Sequence, residues 1–181
     1  MNDSLADALA RLDRFLREWN RPIALIGGVA VIARVATRPT EDIDLIARAT
    51  AGDVDELLAL ALKHGYSFDR DACELAAMGL VRLYPAGAKK DGFGLDILFA
   101  DNPYYEQILS RADPVELGGV TLPVATAEDL VLLKLEANRP SDIEDILSIK
   151  DGLGATLDMG YLRSQADALG LRRIFDLYFT D

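Results

Sequence analysis

The short apolar run Ile23 to Ile26 stops at Gly27 and Gly28, and after thirteen intervening residues comes Asp42-Ile43-Asp44-Leu45. The run suits a buried strand leaving into a tight turn, and Val29 to Val35 resumes with helical spacing. Asp42 to Ala47 alternates polar and apolar, as a half-buried strand does. Residues two apart on a strand share a face, so Asp42 and Asp44 project together while Ile43 and Leu45 point into the core. It is the order of strand, glycine pair, helix and acidic strand that constrains the chain, because each part alone is ambiguous.

An isolated pair of acids on a strand is more often the outward side of an exposed strand than a site. It becomes useful where it holds a hard divalent cation such as Mg²⁺, which takes carboxylate oxygens and keeps positions for a substrate phosphate. A glycine pair after a strand is most often just a turn. It also lets backbone N–H groups and the following helix N-terminus come close to a phosphate.

The rest of the chain reads as helix, mixed sheet with helices, then a helical tail, an α/β (α+β) organisation. Leu5, Leu9, Leu12, Leu16 and Trp19 share one helix face, with Asp3 or Ser4 placed to cap it. Asp53 to His64 is a second helix closed by Gly65, which leaves His64 at a helix end. Leu80 to Tyr84 and Phe93 to Phe99 are strand-like, Asn102 to Arg111 is helical after Pro103, and Val115 to Val124 is a hairpin broken at Gly118 and Gly119. Helices are expected near 126–138, 141–150, 158–169 and 171–179. Within the strand Phe93 to Phe99, Asp96 is a lone acid between Leu95 and Ile97. Lys134 lies one turn from Leu130 on an otherwise apolar helix face, where it either snorkels to water or faces something anionic. Asp142 and Asp145, three apart, either share a face toward Lys134 or cap a helix begun at Ser141.

The segment LIGGVAVIARVATRPTEDIDL resembles the signature of the nucleotidyltransferase superfamily related to DNA polymerase β: a hydrophobic residue, Gly-Gly or Gly-Ser, a spacer, then Asp-hydrophobic-Asp. The stretch AEDLVLLKLEANRPSDIEDILSI resembles the segment that follows the catalytic domain in small bacterial nucleotidyltransferases of the AbiEii toxin type. Lys134, Arg139, Asp142 and Asp145 match that segment by type and order, and the resemblance as a whole covers residues 22–150. It implies a mixed-sheet nucleotidyltransferase core over 1–125 flanked by helices, with a helical C-terminal segment over 126–181 packed on it. It further implies that Asp42 and Asp44 bind Mg²⁺ or Mn²⁺, that Asp96 supplies the third carboxylate, and that Gly27, Gly28, Arg38, Thr40 and Lys134 hold an NTP. Arg139, Asp142 and Asp145 would support them. The implied reaction moves a nucleoside monophosphate to an acceptor and releases pyrophosphate. The resemblance leaves the acceptor open among RNA, a protein and a small molecule such as an aminoglycoside or sugar; the toxin-like resemblance adds an antitoxin partner. A non-catalytic nucleotide-binding or protein-interaction module is the competing class, against which the three intact aspartates argue. The chain lacks the large C-terminal portion of the longer toxins, so their acceptor preference does not carry over.

Composition removes other classes. The single cysteine, Cys73, cannot form an internal disulfide and reads as an inert core thiol, and one histidine rules out multi-His metal sites. A formal charge of -11 argues against generic coating of nucleic acid. The balance is uneven: residues 1–40 hold six Arg against four acids, so a local basic face carrying Arg11, Arg14, Arg17 and Arg38 is the one route to an RNA acceptor. The first residues carry neither the basic nor the apolar region of a signal peptide, and no run approaches the ~20 apolar residues of a membrane span, so a cytoplasmic location is expected.

Overall fold

The computed structural model describes residues 4–35, 39–87 and 92–179. Helix α1 (Leu5–Trp19) buries Leu9, Leu12, Phe15 and Trp19 along one side. Its cap is Ser4, whose hydroxyl oxygen accepts from the Asp7 N–H; Asp3 lies outside the described residues. Strand β1 (Ile23–Ile26) is buried throughout and leads into α2 (Gly27–Arg34). The glycine pair is therefore the first turn of that helix and not a separate turn before it. Then come β2 (Asp42–Ala47), α3 (Val54–Lys63), β3 (Tyr66–Ser67), α4 (Ala72–Ala77), β4 (Leu80–Pro85), β5 (Gly94–Phe99) and α5 (Pro103–Arg111). The hairpin β6 (Asp113–Leu117) and β7 (Val120–Val124) turns at Gly118 and Gly119, both at positive φ. Helices α6 (Ala127–Ala137), α7 (Pro140–Leu153), α8 (Met159–Ala168) and α9 (Arg172–Phe179) complete the chain. The 125/126 division expected from sequence falls at the β7–α6 junction, where the Ala125 N–H donates to the Leu25 carbonyl.

Among the described residues the strands form one mixed sheet in the order β3-β4-β5-β2-β1-β7-β6. Strands β1/β7 and β2/β5 run parallel, and the other pairs are antiparallel. The register puts Ile26 opposite Asp44, Asp44 opposite Asp96, and Asp96 opposite Arg82. Four adjacent strands thus carry one row of side chains on one face at steps of about 4.8 Å, and Asp42 shares that face two residues away. The C-terminal helices cover it: α6 packs on α2, α7 and α8, and α7 also packs on α2. Among the described residues, no helix is long and apolar enough to cross a membrane.

One stretch departs from the sequence reading. Residues 66–79, unassigned there, form the short strand β3 and helix α4. Cys73 is exposed and not a core thiol, because α4 turns Ala72 and Ala76 inward and Cys73 outward.

Candidate active site

Gly27 has φ +65, a left-handed backbone that side chains other than glycine rarely adopt. A Cβ there would lie 2.7 Å from Asp44 Cγ and collide with Oδ2. Gly94, opposite Asp42, leaves room for that carboxylate, since a Cβ there would push Asp42 Oδ1 aside. Both carboxylates of the Asp-Ile-Asp strand therefore rest against glycine backbone, Asp44 beside the first turn of α2 and Asp42 beside the start of β5. Asp42 is exposed, Asp44 half-buried and Asp96 buried.

Their proximity shows in their acidity. Burial, then repulsion from Asp96 and Asp42, pushes the Asp44 carboxyl up to about 6, against the opposing pull of Lys134 and Arg139. Burial and Asp96 likewise raise Asp42, with Arg82 opposing. Asp96 is held differently. Arg82 on β4 grips it with both arms, Nε donating to Oδ1 at 2.6 Å and Nη2 to Oδ2. That pairing raises the Arg82 guanidinium further above its ordinary value.

The facing wall comes from α6 and α7. Asn138 at φ 49 turns the chain at the end of α6, and Pro140 sits in the first turn of α7, where its missing N–H costs nothing. This reversal brings Lys134 against α7, and its Nζ lies 2.8 Å from both Asp142 Oδ1 and Asp145 Oδ2. Lys134 is only 6% exposed, so it does not snorkel; one N–H donates to Asp142 Oδ1, and Asp145 Oδ2 is held beside it as an ion pair. Asp142 does both things that its spacing allowed, meeting Lys134 and accepting the Arg139 backbone N–H to close the first turn of α7. Burial pushes its carboxyl up, but hydrogen bonds from the Arg139 and Lys134 side chains and the Arg139 N–H outweigh that and hold it at about 2.

Between the two walls lies a cavity of about 660 Å³. Gly27, Gly28, Thr40, Asp42, Asp44, Asp96, Lys134, Arg139 and Asp142 all line it, while Asp145 stands behind Lys134. Thr40 hydroxyl donates to the Asp42 carbonyl at 3.1 Å, which fastens the loop that enters β2. Arg38 lies outside the described residues. Arg82, Glu41, Tyr105 and Glu136 also line the cavity and were missed in the sequence. Arg82 alternates with buried Val81 and Leu83 in the same way as Asp96 does with its neighbours, a signal that was there to be read.

Of the arginines expected to form a basic face, Arg14 and Arg17 are exposed on α1, Arg17 pairs with Asp13, Arg11 lies over the Tyr66 ring, and Arg38 lies outside the described residues; Arg11, Arg14 and Arg17 are not among the cavity's lining residues.

A model of the family described as nucleotidyl transferase of unknown function (DUF2204) matches residues 6–170. The chain belongs to this family. No curated protein matches it significantly by sequence. Among solved structures, the family member's fold is similar to that of the antibiotic-resistance factor ANT(2'')-Ia, with TM-score 0.62 and 19% identity over 96% of this chain and 98% of that one. It is also similar to an antigenic nucleotidyltransferase-like protein from Paracoccidioides brasiliensis, with TM-score 0.60 and 18% identity over 98% and 94% of the two chains. A third likeness is to the lincosamide antibiotic adenylyltransferase LnuA, with TM-score 0.53 and 17% identity over 83% and 98%. At these identities the likeness is one of fold.

Proposed function

We propose that this protein transfers a nucleoside monophosphate from an NTP to a hydroxyl of a small molecule, with Asp42, Asp44 and Asp96 as its catalytic carboxylates. The observation that carries the reading is the row of those side chains on β2 and β5, facing one cavity beside the glycine-led start of α2. The donor set fits a hard divalent cation: all ligands are carboxylate, and burial and then Asp96 destabilise both Asp44 and Asp42 as anions, with Asp42 adding to the repulsion on Asp44, a cost that Mg²⁺ or Mn²⁺ would relieve. When bound, the cation offsets charge on the triphosphate and lowers the pKa of the attacking hydroxyl.

The chain's own residues do the positioning. The backbone N–H groups of Gly27 and Gly28, at the positive end of α2, receive the phosphates that leave. Lys134 and Arg139 line the wall opposite the sheet, where their cationic groups meet the triphosphate. The acceptor oxygen attacks the α-phosphorus, the bond to the β-phosphate oxygen breaks, and pyrophosphate departs while the hydroxyl proton passes to a carboxylate. Catalysis of this kind is positioning and charge stabilisation rather than covalent work.

A small acceptor is favoured over RNA by the charge around the site. Glu41 and Glu136 join the three aspartates on the cavity wall, and Arg11, Arg14 and Arg17 are not among the residues that line it. The structural neighbours include an antibiotic-resistance factor and a lincosamide antibiotic adenylyltransferase, which supports the same class. The test is to incubate the protein with each α-labelled NTP, Mg²⁺ and fractionated cell extract. Label should enter low-mass compounds and be lost with Asp44→Asn. Label in RNA or protein would move the acceptor to the macromolecular, toxin-like class, and no incorporation in any fraction would leave a nucleotide-binding module.

A further inference from the structure

Arg82 is the residue on this site that neither its chemistry nor its pairing yet explains. It stands at the end of the row Ile26, Asp44, Asp96, Arg82, and its fork occupies both oxygens of Asp96. As they stand, no three carboxylate, imidazole or thiol side chains among the described residues are grouped closely enough to hold a metal ion. Asp96 is turned to the guanidinium instead. The pair is also lopsided: the Asp96 side chain is 9% exposed and the Arg82 side chain 45%. The carboxylate is fixed in the sheet, whereas the arginine can swing into water at little cost.

The neighbouring cations are not equivalent. Lys134 is committed to Asp142 and Asp145 and Arg139 to Asp142, so among the described residues on the cavity wall Arg82 alone is paired with one of the three proposed catalytic carboxylates. We propose that Arg82 and the divalent cation are alternative partners of Asp96: the arginine holds the third carboxylate in place in the empty site and is displaced when the cation is taken up. Arg82 is thus a positioning residue that acts through Asp96. Its bidentate grip keeps a buried carboxylate satisfied without metal, and its exposure keeps that grip weak enough to exchange. Since β4 lies beyond β5 from β1, the freed guanidinium is on the side of the cavity away from Gly27.

The inference rests on the metal-dependent reading above, and the test separates the two. Mn²⁺ binding without nucleotide is measured by calorimetry for the wild type, Arg82→Ala, Arg82→Gln and Asp96→Asn, with thermal melts in EDTA and in Mn²⁺. Both Arg82 variants should bind Mn²⁺ about tenfold more tightly, the effect of removing one competing charge-assisted pair that is half open to water. They should melt lower than the wild type in EDTA and regain that loss in Mn²⁺, which a merely structural arginine would not allow. Asp96→Asn should weaken Mn²⁺ binding and, combined with Arg82→Ala, abolish the gain. Equal or weaker Mn²⁺ binding by both Arg82 variants, with Asp96→Asn still impaired, overturns the exchange and spares the metal site. Wild-type Mn²⁺ binding by Asp96→Asn also overturns the exchange, while no Mn²⁺ binding by the wild type overturns the metal-dependent reading itself.

Discussion

Replacing Lys134 by methionine keeps most of the side-chain volume and removes one buried ammonium from between two carboxylates. In the structure Nζ is 2.8 Å from Asp142 Oδ1 and 2.8 Å from Asp145 Oδ2, and Asp142 is 0% and Asp145 2% exposed. Removing one partner of a buried pair costs about 3–5 kcal/mol, since the charge left behind is desolvated without compensation. Asp142 keeps two bonds from the Arg139 guanidinium, so the expected loss is at the lower end, about 3 kcal/mol. For a chain of this size each kcal/mol lowers Tm by about 2–4 °C, which puts the Lys134→Met melt roughly 6–12 °C below the wild type. Urea denaturation followed by far-UV circular dichroism gives the free energy directly. Combining Lys134→Met with Asp142→Asn and Asp145→Asn should recover most of the loss, because neutral amides at those positions leave no unpaired charge. A single-variant loss under about 1 kcal/mol would refute the reasoning and return Lys134 to the class of solvated surface cations.

Other outcomes follow from the site. Gly27→Ala should cost about 1–3 kcal/mol in backbone strain and, by driving Asp44 from its place, abolish transfer activity; an active, normally stable variant would show that Asp44 is not seated against Gly27. Because the folded protein raises Asp44 from 3.8 to about 6, it favours the protonated form. That contribution to stability is whole below pH 3.8 and is lost as pH rises through 6, a difference on the order of 2–3 kcal/mol. In EDTA, therefore, Asp44→Asn should gain on the wild type in melting temperature between pH 4 and pH 7, and parallel pH profiles would contradict the crowding of the carboxylates.

The parts of the site legible in the sequence are those encoded by local spacing. Asp42 and Asp44 share a face by strand alternation, Asp96 is marked as a lone acid in an apolar strand, and the Lys134, Asp142 and Asp145 pairing is allowed by helical spacing. What could not be read depends on register and on distant partners. Arg82 acquires its meaning only because β4 pairs with β5 so that it falls opposite Asp96. The N-terminal positive balance looked like a surface, yet Arg21 and Arg34 meet acids 32 and 79 residues away. Helix α4 was hidden because it is six residues long and buries only two alanines, too weak a period to stand out. Lys134 shows the same limit: its spacing permitted both a wet and a buried cation, and only the approach of α7 decides between them.

The most direct test of the account is a crystal structure with Mn²⁺ and a non-hydrolysable NTP, read through the anomalous signal of the metal. The account predicts a manganese peak bridged by Asp42 and Asp44, with the terminal phosphates at the Gly27-Gly28 backbone and Lys134 and Arg139 facing them. A manganese peak away from these aspartates, or a triphosphate bound elsewhere in the cavity, would contradict it.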